Sequence, residues 1–294
     1  MRNKIYEGIL FSASASFWWG VLGVFYFKHV SFAGPVELVI HRTVWTSFIL
    51  IITTTIFLKW KIFFKILSNK KKTLLLFMSG FLIYVNWSTW IYAVVTNRLV
   101  DASFGYYIFP ILSVLFGIIF FKEKINRKRT ISIGLVIVAI IYLLINFKSI
   151  PWIGLTIAIS WSTYNLVRKK ANVESDTGLL IESLFVAPVV LFLFYLIVQK
   201  GLNDFTFTNP KVMFLLFLAG PMTVIPLYLY VRSIKLAGLG PSGMVFFITP
   251  TCQFLLGIFY YQEEFNINKL IGFILIWIAV IIYLRDLKEK KKNA

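Results

Sequence analysis

Residues 108–129 read IFPILSVLFGIIFFKEKINRKR, and residues 248–269 read ITPTCQFLLGIFYYQEEFNINK. At an offset of 140, Ile108, Pro110, Leu115, Gly117, Ile118, Glu123 and Asn126 recur as Ile248, Pro250, Leu255, Gly257, Ile258, Glu263 and Asn266, and Gly80 recurs as Gly220. Apolar helices match easily by chance, so the weight rests on the proline, glycine, glutamate and asparagine pairs. The two stretches part company where the apolar run ends. Residues 122–129 hold five basic side chains, whereas residues 262–269 hold only Lys269. A repeated element whose flank has lost its positive charge is expected to face the other side of a membrane. The stretch therefore predicts a duplicated unit with its second copy inverted.

The rest of the chain suits that reading. Of 294 residues, 59% are hydrophobic and 14% charged, against about 25% charged in a soluble domain. The net charge of +18 lies in short clusters between apolar runs, which argues for membrane topology and against nucleic acid as a partner. Runs of about twenty apolar residues are long enough to cross the hydrocarbon. They predict ten spans: Ile5–Phe27, Pro35–Leu58, Thr73–Val95, Val100–Phe121, Thr130–Ile145, Pro151–Val167, Thr177–Val198, Val212–Val231, Leu239–Tyr261 and Lys269–Leu284. None alternates with the period of two expected of a barrel strand. The start, Met1-Arg2-Asn3-Lys4 followed by an apolar run, resembles a signal peptide, but no small-residue cleavage pattern follows and the run is expected to stay as a helix.

Lys and Arg number 23 in alternate loops and tails on one side, against 6 on the other, with Arg42 inside a span. That asymmetry predicts both termini in the cytoplasm. The expected architecture is thus an all-α polytopic membrane protein of ten transmembrane helices in two inverted five-helix repeats. Residues 1–147 form the first, 148–287 the second, and 288–294 a basic tail. The lone cysteine, Cys252, excludes an intrachain disulfide.

Inverted halves can pack in two nearly equivalent ways, one open to each side, with the solute site near the midplane where they meet. Pro110 and Pro250 each remove a backbone hydrogen bond in mid-span and are expected to kink their helices beside that cavity. Intramembrane polar groups supply further candidates, since a charge there costs roughly 2.5–3.5 kcal/mol. Glu37 and His41 share a helix face with Trp45, and Arg42 lies beside them; they are either a proton- or solute-binding group or a self-satisfied cluster. Glu182 follows Glu37 at an offset of 145, so a carboxylate at each mouth could relay protons; a helix-start acid is the alternative. Asn86, Trp87, Trp90 and Tyr92 crowd the third span, Tyr106 and Tyr107 lie on the fourth, and Trp161 and Tyr164 on the sixth. Such aromatic walls suit flat or cationic solutes, or else simple packing. An asparagine at that depth must hydrogen-bond to a solute, a water or a carbonyl freed by a kink.

Several of these residues carry a family likeness. Pro35-Val36-Glu37 with His41-Arg42 and Trp45, Asn86-Trp87 before Trp90-Ile91-Tyr92-Ala93-Val94, and the run from Asp101 through Phe104-Gly105-Tyr106-Tyr107 to Pro110 ahead of Glu123 mark the first half. Tyr164 with Arg168-Lys169, Gly178-Leu179 with Glu182 and Pro188, and Thr249-Pro250-Thr251 with Gln253 and Glu263 mark the second. Together they resemble the RarD family of EamA-type carriers in the drug/metabolite transporter superfamily over nearly the whole chain. Asp101 and Phe109 depart from the glutamate and asparagine usual there. The resemblance implies ten helices and secondary-active export or exchange of a small organic metabolite or drug across the inner (plasma) membrane, proton coupling being one option. It adds Gln253 to the candidate site and names no solute.

No zinc-protease, serine-hydrolase or paired-cysteine motif and no phosphate-binding loop occurs in the sequence. An intramembrane enzyme and a channel remain the alternative readings. No cofactor or metal is expected. The lipid bilayer and the solute are the expected partners, and the sequence sets no oligomeric state.

Overall fold

A computed structural model describes residues 2–123, 126–145, 152–263 and 267–292. Residues 124–125, 146–151 and 264–266, on which part of the predicted fifth-to-sixth span boundary and of the basic and acidic flanks falls, lie outside the described residues. Among the described residues the chain is helical, with no strand.

Seven helices are long and apolar enough to cross a membrane. They are α1 (Lys4–His29), α2 (Gly34–Ile56), α4 (Lys70–Val95), α5 (Leu99–Phe121), α8 (Ser175–Gln199), α9 (Pro210–Ala237) and α10 (Leu239–Tyr260). A short amphipathic helix, α3 (Trp60–Leu67), lies between α2 and α4 and buries Phe63 and Ile66. Three more helices fall where the sequence predicted spans: α6 (Arg127–Ile145), α7 (Trp152–Ala171) and α11 (Ile267–Lys292). Helix α11 runs on through residues 288–292, where the sequence reading set a separate tail.

Helix α7 is the least apolar of these because it is central. It packs on α4 along one side and α5 along another, and buries Ser160, Ser162, Asn165 and Arg168. A helix surrounded by helices meets protein instead of lipid and needs no apolar surface all round. Helices α6 and α11 pair with each other at the periphery.

The packing repeats. Helix α1 packs on α9 as α7 packs on α4, and α2 packs on both α8 and α9 while α4 packs on α8. Two glycines allow close approach at related points. A Cβ on Gly80 would come within 2.9 Å of the Glu182 carbonyl on α8, and one on Gly220 within 2.8 Å of Trp45 Cβ on α2.

The two prolines act unequally. Pro110 sits inside an unbroken helix. Helix α10 instead breaks at Phe246 and Phe247, between Leu239–Val245 and Ile248–Leu255. Pro250 lacks the N–H that would bond the Phe246 carbonyl, and that carbonyl accepts from the Thr249 N–H at 2.9 Å. The segment before the break, Leu239-Gly240-Pro241-Ser242-Gly243, is weak helix former as well, so α10 yields where α5 does not.

Candidate functional site

A narrow, largely enclosed cavity lies between the two halves of the chain, with room for about one or two water molecules in this conformation. Trp19 of α1, Arg42 of α2, Asn86, Trp87 and Trp90 of α4 and Tyr106 of α5 line it from the first half. Trp161 of α7 and Phe246, Thr249 and Gln253 of α10 line it from the second.

Arg42 is 3% exposed. Its guanidinium carbon lies 4.5 Å from the Trp87 ring centre, 5.1 Å from Phe27 and 5.7 Å from Trp90. Its Nε and Nη1 have no hydrogen-bond partner. Three ring faces, worth about 2 kcal/mol each when desolvated, explain how the charge is tolerated. They do not satisfy its N–H groups. Gln253 is 0% exposed, and neither its Oε1 nor its Nε2 has a partner.

Asn86 is differently placed. Its Nδ2 donates to the Ile157 carbonyl and to Ser160 Oγ, both at 3.3 Å, and its Oδ1 accepts from the Tyr106 hydroxyl at 3.4 Å. It ties α4 to α7 and α5 at the cavity wall. Tyr106 and Phe246, four residues before the two prolines and 140 apart in sequence, meet across the cavity with ring centres 5.5 Å apart.

The other predicted residues divide into separate groups. Glu37 accepts backbone N–H bonds from Asp204 at 2.9 Å and Phe205 at 2.9 Å, which ties the loop after α8 to α2. Trp45 Nε1 donates to His41 Nδ1 at 3.1 Å, and His41 Nε2 lies 3.3 Å from Glu37 Oε1. With Nδ1 accepting, the ring proton sits on Nε2 and is donated to Glu37. Glu182 meets Arg168 Nε at 3.3 Å, accepts from Ser79 at 2.5 Å and from the Tyr164 hydroxyl at 3.3 Å. Tyr164 also stacks on Trp161 at 5.2 Å, which links this ion pair to the cavity wall. Tyr92 is partly exposed and packs on Trp152 at 5.7 Å, away from the cavity.

The repeat-related glutamates do something the sequence reading did not assign. Glu123 follows α5, and its two oxygens accept from the N–H groups of Leu239 at 3.0 Å and Gly240 at 3.1 Å, the first residues of α10. Glu263 follows α10, and its oxygens accept from Leu99 at 3.0 Å and Val100 at 2.9 Å, the first residues of α5. The matching geometry goes with a shared feature of the two caps. Lys122 and Gln262 both take left-handed conformations, with φ of 53° and 52°. The N–H of each glutamate then returns to Gly117 or Gly257 at 3.0 and 2.9 Å, closing the helix end in a Schellman motif. Each carboxylate thus caps the positive end of the partner helix, one at each end of the bundle. Lys169 adds an ion pair to Glu123.

Of the residues singled out in the sequence, Arg42, Asn86, Trp87, Trp90, Tyr106, Trp161 and Gln253 line this cavity. Trp19, Phe246 and Thr249 line it without having been singled out as site residues, and Phe27 lies against Arg42. The offset of 140 could have found Phe246, as the mate of Tyr106.

The model of the EamA-like transporter family matches residues 6–145 and again 148–285. The chain belongs to the EamA-like transporter family. Among its relatives are Protein RarD of Salmonella typhi, 32% identical over 95% of each chain, and Uncharacterized transporter YojE of Bacillus subtilis, 33% identical over 94% of this chain and 93% of that one. A solved crystal structure superposes over 94% of this chain and 96% of its own with a TM-score of 0.65 at 16% identity, which shows a shared fold. The chain is therefore a multi-pass membrane protein of a transporter family, with the RarD proteins among its relatives.

Proposed function

We propose that this protein is a secondary-active carrier that moves a small organic solute by alternating access around the Arg42 cavity. The reading takes ten crossings, α6, α7 and α11 joining the seven apolar helices, in two inverted repeats with both termini in the cytoplasm. The observation that carries it is the reciprocal clasp: Glu123 on α10 at one end and Glu263 on α5 at the other. Both clasps are closed here, with the narrow cavity between them. Opening either alone would connect the cavity to one side, as a carrier requires. Glu37 and Glu182 act in this account as ties between helices, since protein groups occupy them fully, and Arg42 and Gln253 as the solute contacts.

The test uses Tyr106→Cys in a Cys252→Ala background, labelled by a small hydrophilic thiol reagent from each side of oriented vesicles. Glu123→Ala, which removes both acceptors, should raise labelling from the cytoplasmic side and Glu263→Ala from the opposite side, each severalfold. If both substitutions shift labelling toward the same side, the clasps are not gates and the reading falls.

A further inference from the structure

We propose that the solute is a small organic monocarboxylate with a flat apolar body, its carboxylate seated between Arg42 and Gln253. The proposal rests on the carrier reading for its setting, while its evidence is the hydrogen-bond inventory of the cavity itself.

The cavity wall has donors without acceptors. Arg42 Nε and Nη1, Gln253 Nε2, Trp90 Nε1 and Trp161 Nε1 are buried and unpartnered. Arginine and the indole N–H groups donate only. Set against these donors, the single side-chain acceptor atom of the wall with no hydrogen-bond partner is Gln253 Oε1. The Asn86 groups already bond within the protein, and the Thr249 hydroxyl donates to the Ser16 carbonyl at 3.0 Å. Unmet buried donors are costly, and an acceptor-only, charged group is their complement. A carboxylate fits that role and matches the guanidinium fork.

Charge narrows the class. Arg42 is the single ionised side chain among the cavity-lining residues, and none of them is acidic. A cationic solute would face an unpaired guanidinium, and the Trp87 face it would seek already lies against that guanidinium. A zwitterion would find no carboxylate for its ammonium. A phosphate dianion would bring a second charge with no second cation to meet it. The remaining walls, Trp19, Trp161, Tyr106 and Phe246, are ring faces and edges suited to a planar body.

The test measures binding by thermal shift of the purified full-length protein with three matched sets: benzoate, phenylacetate and indole-3-acetate; their neutral amides; and benzylamine, phenethylamine and tryptamine. Phenyl phosphate and inorganic phosphate form a fourth arm. At least one carboxylate should stabilise the protein while its amide and amine do not. Arg42→Met, which removes the charge and keeps the bulk, should abolish that shift, and Gln253→Leu should weaken binding about tenfold, the loss expected for one charge-assisted hydrogen bond. If Arg42→Met does not fold, Arg42→Lys takes its place, with binding weakened about tenfold by loss of the fork. The proposal is overturned if no carboxylate shifts the protein, if amides or amines do so equally, if phenyl phosphate outperforms benzoate, or if the Arg42 variant binds as wild type does. Any of these leaves the clasp experiment, which needs no solute, to decide the carrier reading separately.

Discussion

Arg42 shows how a residue can be legible and its partners not. Its neighbours in sequence, Glu37 and His41, suggested one charged cluster. A helix turns about 100° per residue, so Arg42 points away from the face that His41 shares with Glu37. It meets Phe27, Trp87 and Trp90 instead. No sequence rule places three rings from two other helices around it. On the proposal of a carboxylate solute, the cationic-solute option, drawn from the aromatic content alone, loses its ground for the same reason. Glu263 gives a prediction at this scale. Burial raises its carboxyl above the usual carboxylate range, against the pull of the Val100 and Leu99 N–H groups and of Lys28, with Asp101 adding to the rise. A carboxyl raised in the closed clasp binds its proton more readily there than in water, where it titrates near about 4.3. Acid therefore favours the closed clasp and alkali its release, within the window between those two values. Labelling of Tyr106→Cys from the Glu263 end, taken relative to the same cysteine in Glu263→Gln, should rise with pH through that window and then level off. A ratio that falls with pH contradicts this sign.

At the scale of elements, apolar length found seven helices, the buried α5 and α10 included, and fell short at α6, α7 and α11. Helix α7 passes the length ruler poorly because its serines, Asn165 and Arg168 are buried against protein. Its closest approach to α5 is where Gly105 meets Gly154, a Cβ on Gly105 falling 2.3 Å from the Gly154 carbonyl. That oxygen is backbone and cannot swing aside. Gly105→Ala should destabilise the protein by about 1–3 kcal/mol through forced separation of the helices, read as a lowered thermal midpoint in detergent. Gly134→Ala, with nothing within 4 Å of the added carbon, should stay within about 1 kcal/mol of wild type or gain slightly. Equal losses for both would remove the close approach from the account. Two π-helical turns, Trp18–Leu22 and Leu256–Tyr260, were invisible in the sequence, since no residue type marks them. The break in α10 was legible in part: Pro250 pointed to it, and the glycines ahead of it explain why Pro110 did not do the same to α5.

For the whole molecule, the offset of 140 was the most informative sequence feature, and its meaning changed with the structure. Glu123 and Glu263 entered the reading as evidence of duplication and as part of the family likeness, with no role of their own. Their reciprocal hold on Leu239–Gly240 and Leu99–Val100 makes each half the lock of the other. On the proposed carrier reading, two such locks, one at each end, leave three simple states: both closed, or either one open. Asn86 and Tyr106 are buried in the doubly closed state, at 2% and 7% exposure, so reagent reaches them only when a lock releases. The most direct measurement is therefore labelling of Asn86→Cys, in the Cys252→Ala background, by a membrane-impermeant thiol reagent applied first to one side and then to the other of oriented vesicles. The account predicts reaction from both sides, slower than at an exposed loop cysteine, and from one side at a time when a clasp is removed. Reaction from a single side only, whatever the clasp substitution, or from neither, contradicts alternating access at this cavity.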